Sequence, residues 1–170
     1  MKQLLFLAAI GLSLAACAPR TPGAQMGPDG QPIPVAYTIT GPEAAAIPGR
    51  VLSQVNMLRA GSGAPPLTLD PALNAASAAH SRDMAAQNRA WHFGSDGSSP
   101  LDRAQRAGYP GQLVGENISE SYENDIATLQ AWMQARDTRD VIMDPVATTL
   151  GIAWYQEPSR KIWWTLLTGK

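Results

Sequence analysis

Apolar positions along the chain fall at helical intervals first and alternate like strands last. Val51, Leu52, Val55 and Leu58 share one helical face, and Ala60-Gly61-Ser62-Gly63 ends that helix. Pro65-Pro66-Leu67-Thr68-Leu69 reads as an extended connection. Asp70 then caps a second helix, with Pro71 at its first position, running to about Ala90. Its inner face carries Leu73, Ser77, His80 and Met84. Trp91 to Gly97 is a loop. Ser99-Pro100-Leu101-Asp102 has the form of a capping box and opens a short helix that ends at Gly108. Val114 to Ser119 is a strand or a tight turn, and Asn124 caps a helix lined by Ile126, Leu129 and Met133.

Two strands close the pattern. Residues 149–156 place Leu150, Ile152 and Trp154 on one face and Gly151, Ala153 and Tyr155 on the other. Residues 161–167 do the same with Ile162, Trp164 and Leu166 against Trp163, Thr165 and Leu167. Both faces of both strands are apolar, so both must be covered. Glu157-Pro158-Ser159-Arg160 is a hairpin connection. Helices first and antiparallel strands last give an α+β class with helices on both faces of the sheet.

The chain ahead of this domain has a different composition. Lys2 precedes an apolar run from Leu4 to Leu14, about 11 residues against the roughly 20 a spanning helix needs. That is a signal-peptide core. It ends in Leu14-Ala15-Ala16-Cys17, which resembles a bacterial lipobox. The resemblance implies removal of residues 1–16 and diacylglycerol on Cys17, against the bland reading of a plain signal peptide. Ala18, in place of Asp, favours the outer membrane facing the periplasm under Gram-negative sorting patterns. Residues 17–47 are rich in Pro and Gly and read as a tether unable to form a helix or a central strand, with Val35 to Ile39 a candidate edge strand. The globular domain is expected over residues 48–170.

Charge and composition narrow the chemistry. A formal charge of −1, made more negative by loss of Lys2, offers no basic stripe for nucleic acid and no polybasic patch for membranes. The single cysteine excludes an internal disulfide and a cysteine zinc cluster. There is no Gly-x-Ser-x-Gly elbow, P-loop, dinucleotide fingerprint or His-Glu-x-x-His helix. His80 and His92 are the only imidazoles. His80 lies on an apolar helix face and reads as a core residue. His92 is either a cleft residue oriented by Glu116 or a loop residue bonded to backbone. Asn117 reads as a backbone tie, and Asp102-Arg103 as helix capping with a surface ion pair.

Several segments together carry a resemblance. They are Val55-Asn56-Met57-Leu58-Arg59, Asp70-Pro71-Ala72-Leu73, Ala79-His80-Ser81-Arg82-Asp83-Met84, His92, Gly97 to Arg103, Ala107-Gly108-Tyr109, Gly115-Glu116-Asn117-Ile118, Trp132-Met133, Arg139 and Asp144-Pro145. Their order and spacing are similar to the bacterial branch of the CAP or SCP superfamily, which includes cysteine-rich secretory proteins, antigen 5 and plant pathogenesis-related 1 proteins. The resemblance implies a three-layer α-β-α sandwich around a central, mainly antiparallel sheet. Members often carry two histidines and two acidic residues in a central cleft, and some bind zinc or another divalent ion there. His92 matches the first histidine and Glu116 the first glutamate. Thr138 stands where the second histidine is expected, and Ala135 where the second acid is. His92 and Glu116 alone form a weak, incomplete metal site, with Asp137 and Asp140 as the other carboxylates of that segment. No cofactor is expected beyond weakly held zinc.

Three functions follow, in this order: a non-enzymatic binding module for a lipid, peptide or envelope protein at His92, Glu116, Asn117 and Thr138; a structural lipoprotein; and a metal-assisted hydrolase of peptide or cell-wall material using His92 and Glu116.

Overall fold

A computed structural model describes residues 37–170 of the chain. The expected signal peptide, Cys17 and most of the tether lie outside the described residues. Five helices, α1 (Gly41–Gly61), α2 (Pro71–Gln87), α3 (Pro100–Arg106), α4 (Asp125–Gln134) and α5 (Arg136–Met143), accompany four strands, β1 (Thr68–Leu69), β2 (Leu113–Ser121), β3 (Thr149–Gln156) and β4 (Ile162–Gly169). The strands form one sheet in the order β1-β3-β4-β2. β1 runs parallel to β3, and the other two pairings are antiparallel.

The double-faced strands explain the layering. Leu150, Ile152, Trp164 and Leu166 pack with Ile47, Val51 and Val55 of α1, Leu129 and Trp132 of α4, and Ile142 of α5. On the other face, Leu167 packs with Leu73 and Ala76 of α2, Ala104 of α3, and Tyr109. The architecture is therefore the α+β, three-layer sandwich expected from sequence. Gly151 shows how closely α2 approaches: a Cβ there would collide with the backbone of Leu73 and Asn74. Where β1 ends, Asn74 takes over for the missing neighbour strand and accepts a hydrogen bond from the Ile152 N–H at 2.8 Å.

Several element boundaries differ from the sequence reading. Residues 41–48 are helical, although the proline content argued against it. Pro42 sits in the first turn, where a backbone N–H has no intrahelical acceptor and its absence costs nothing. Pro48 lies inside α1, and its cost is offset by the buried Ile47 and by Arg50, which pairs with Asp125 and Glu43. Tyr37 to Thr40 dock on the domain without forming a strand: Tyr37 N–H donates to Tyr122 O, and Gln156 bonds both Tyr37 and Ile39. α2 stops at Gln87 because Asn88 adopts a left-handed conformation, φ 48°. α5 had no sequence counterpart. Extended Ala135 separates it from α4.

Candidate functional site

The loop after α2 is held from both neighbouring helices. Asp83 of α2 accepts hydrogen bonds from Ser95 N–H (2.8 Å), Ser95 Oγ (2.6 Å) and Gln87 Nε2 (2.9 Å). Burial pushes the Asp83 carboxyl upward, but these donors outweigh it and hold it below its ordinary range. Trp91 Nε1 donates to Gln87 Oε1, and His80 Nε2 meets the Trp91 carbonyl at 3.0 Å. From α3, Arg103 Nη1 donates to both His92 O and Ser98 O at 3.0 Å. Gly94 leaves room in this loop, since a Cβ there would press on Ser98 Oγ and Asp96 Oδ1.

That pinned loop delivers His92 to Glu116 on β2. His92 Nδ1 lies 2.8 Å from Glu116 Oε1, and Arg103 Nη2 donates to Glu116 Oε2 at 2.6 Å. The Glu116 side chain is 2% exposed and that of Arg103 6%, whereas His92 is 54% exposed. A carboxylate can only accept, so in the neutral His92 ring the Nδ1–H faces Glu116 and the Nε2 lone pair faces water. Glu116 thus aims the imidazole, and Arg103 balances the buried charge. The expected surface ion pair of Asp102-Arg103 is corrected here. Asp102 does complete the capping box with Ser99, but Arg103 is turned inward because only its fork can serve two carbonyls and a carboxylate at once.

His80 is a core residue, as its helix face suggested, and it also adjoins the site, with Nε2 3.9 Å from Glu116 Oε1. Its Nε2 must be the protonated nitrogen, because the Trp91 carbonyl only accepts, and its buried Nδ1 has no partner among the described residues. Burial depresses its pKa, opposed by the nearby Glu116 charge.

The other two residues named from sequence meet each other. Asn117 Nδ2 donates to Thr138 O at 2.7 Å, and Thr138 Oγ1 donates to Trp132 O at 2.6 Å. Asn117 is therefore a backbone tie between β2 and α5. Adjacent strand residues point to opposite faces, and Glu116 and Asn117 pair across from Leu167 and Leu166, which belong to opposite layers. His92–Glu116 and Asn117–Thr138 are thus two separate contacts, joined through the strand and by no hydrogen bond.

The donor set does not fit a zinc site. Both Glu116 oxygens are committed, one imidazole nitrogen faces outward, and Thr138 turns its hydroxyl into its own helix junction. Among the described residues no group of three or more His, Cys, Asp and Glu side chains is placed to hold a metal ion.

The family model for the cysteine-rich secretory protein family, CAP, matches residues 52–167, which includes every element from the middle of α1 to β4. The chain belongs to the CAP family. It is 29% identical over 121 residues to the uncharacterized protein YkwD of Bacillus subtilis, covering 71% of this chain and 46% of that one. It is 26% identical over 103 residues to the uncharacterized membrane protein YlbC of the same organism, covering 61% and 30%. The chain therefore spans less than half the length of these curated relatives. Among solved structures, an extracellular SCP-domain protein of Bacillus anthracis superposes with a TM-score of 0.68 at 24% identity, covering 79% of this chain and 45% of that one. An outer surface protein of Borrelia burgdorferi superposes with 0.63 at 14% identity, covering 73% and 92%. These likenesses establish the CAP fold.

Proposed function

We propose that this CAP protein is anchored in the cell envelope by lipid on Cys17 and works as a non-enzymatic binding or interaction module for a lipid, peptide or protein ligand. One observation carries the reading. Glu116, the carboxylate that a catalytic or metal role would need, is buried and spends both oxygens on Arg103 and His92. The extracellular and outer-surface descriptions of the two solved relatives favour an envelope location. The lipobox-like Leu14-Ala15-Ala16-Cys17 supports the anchor, and among the described residues no helix is long and apolar enough to cross a membrane.

One feature favours a second reading. An imidazole aimed by a carboxylate, with its outer nitrogen open to water, has the form of a general base. The test uses the protein extracted from membranes with its native N-terminus. Cys17→Ser should move it from the membrane pellet to the soluble fraction. Mass spectrometry of the extracted protein should show a retained ligand, and peptide and cell-wall substrates should stay intact. Hydrolysis that disappears in both His92→Ala and Glu116→Ala would replace the binding module with the hydrolase.

A further inference from the structure

Between α2 and α3 lies an open cavity of about 470 Å³, within the size range of small-molecule sites. Ala75, Ala76 and Ala79 of α2, with Ala107 after α3, give it an apolar floor of methyl groups. Its rim carries charges of both signs: Arg103 and Arg106 from α3, Asp83 and Asp96 from α2 and the loop. None of these residues was singled out from the sequence as part of a binding site.

Two observations say what would occupy it. Arg103 is buried and lines the cavity, three of its five N–H donors go to His92 O, Ser98 O and Glu116, and its Nε–H finds no partner among the described residues. An orphaned donor of this kind is costly and calls for an acceptor. Arg106 and Asp96 meet in an ion pair 2.6 Å long with both side chains more than half exposed. Such a pair contributes little, so a ligand that offers each partner a new counter-charge can displace it. A free anion would meet two carboxylates, a free cation two guanidinium groups, and a plain acyl chain would use the floor and none of the rim charges. A ligand with a carboxylate at one end, an ammonium at the other and small apolar groups between them matches floor and rim together.

We infer that the α2–α3 cavity is a binding site for a short zwitterionic peptide, its carboxylate on Arg103 and Arg106 and its amine on Asp96. The inference rests on the binding-module reading and goes beyond it by placing the ligand behind the Glu116–Arg103 pair, away from the outer face of His92. Because Arg103 also holds His92 O, Ser98 O and Glu116, the same side chain joins the cavity to the loop.

Calorimetric titration of the membrane-extracted protein with tripeptides of Ala, Val and Leu tests this, using each peptide with free ends and with acetylated and amidated ends. At least one free tripeptide should bind saturably at one site, and blocking the ends should weaken it about tenfold or more, equivalent to about 1.4 kcal/mol. Ala79→Leu fills the cavity from an exposed helix position that should not disturb folding, and it should abolish binding. Arg106→Gln should weaken it while leaving the thermal midpoint unchanged. The inference is overturned if no free tripeptide binds saturably, if the blocked peptides bind equally, or if Ala79→Leu leaves binding intact. Absence of peptide binding beside a retained lipid or protein ligand removes this site and leaves the binding module standing. Binding followed by cleavage keeps the site and removes the non-enzymatic reading.

Discussion

Arg103 Nη2 stands 2.6 Å from Glu116 Oε2, with both side chains almost wholly removed from water. The pair is the hinge of the site, because the same guanidinium holds two loop carbonyls and the same carboxylate holds His92.

Breaking this pair should cost far more than removing the histidine it supports. Arg103→Met strands a buried carboxylate, and losses of about 3–5 kcal/mol follow from such a change. His92→Ala removes one hydrogen bond from a half-exposed ring and should cost about 1 kcal/mol. Urea unfolding of the two variants checks the contrast. Equal losses would mean that the histidine, and not the ion pair, holds the loop.

Arg59 should be as critical, for a different reason. It is fully buried at the end of α1 and donates to the carbonyls of Pro65, Ile142, Asp144 and Ala147. Burial lowers its pKa, and only the Asp144 charge opposes this. Arg59→Met should leave these carbonyls unpaired and destabilise the domain by about 3 kcal/mol or more. Hydrogen exchange at 142–147 should accelerate along with the global loss. Protection that persists there would show that water replaces the guanidinium.

Much of this arrangement was legible before any coordinates. The two-faced apolar strands at 149–156 and 161–167 demanded cover on both sides, and the capping signals at Asp70, Ser99 and Asn124 placed three helix starts. What stayed hidden depended on partners distant in sequence. Arg103 looks like a surface residue beside Asp102 until β2 brings Glu116 under it. Pro48 looks like a helix breaker until the buried Ile47 beside it is known. The α3 sequence carries no signal for Arg103, because Arg106 lies three residues on and on the same side of the helix, yet stays exposed.

Zinc should bind this chain weakly. One outward imidazole nitrogen is available, while the Glu116 oxygens and the Thr138 hydroxyl are engaged elsewhere. A dissociation constant above about 0.1 mM is expected, against the roughly 10 kcal/mol or more of structural zinc sites. Calorimetry gives the value directly, and His92→Ala should abolish what binding exists. Tight one-to-one binding would require Glu116 to leave Arg103, and would reopen the hydrolase reading.

The buried imidazole of His80 should make the domain sensitive to mild acid. Its Nε2–H is spent on Trp91 O, its Nδ1 has no hydrogen-bond partner among the described residues, and the charged groups around it are Glu116, Arg103 and Asp83. Burial lowers its pKa in the native state from the ordinary 6.5, with the Glu116 charge only partly compensating. Below that ordinary value the unfolded chain takes up a proton that the native chain resists. The unfolded state then holds more protons, and stability falls as pH falls, by up to about 1.4 kcal/mol per pH unit until the native ring itself is protonated. The carboxylates held low in the native state, Asp83, Asp102 and Glu157 among them, act in a separate window, since their contribution is nearly complete above about pH 5 and is lost progressively below it. Urea midpoints between about pH 7 and pH 5 cover the imidazole range, and comparison with His80→Gln singles out His80. The wild type should weaken across that interval, and His80→Gln, whose amide can still donate to Trp91 O, should lose most of the slope. An unchanged slope in His80→Gln would assign the acid sensitivity to another group and leave His80 as packing alone.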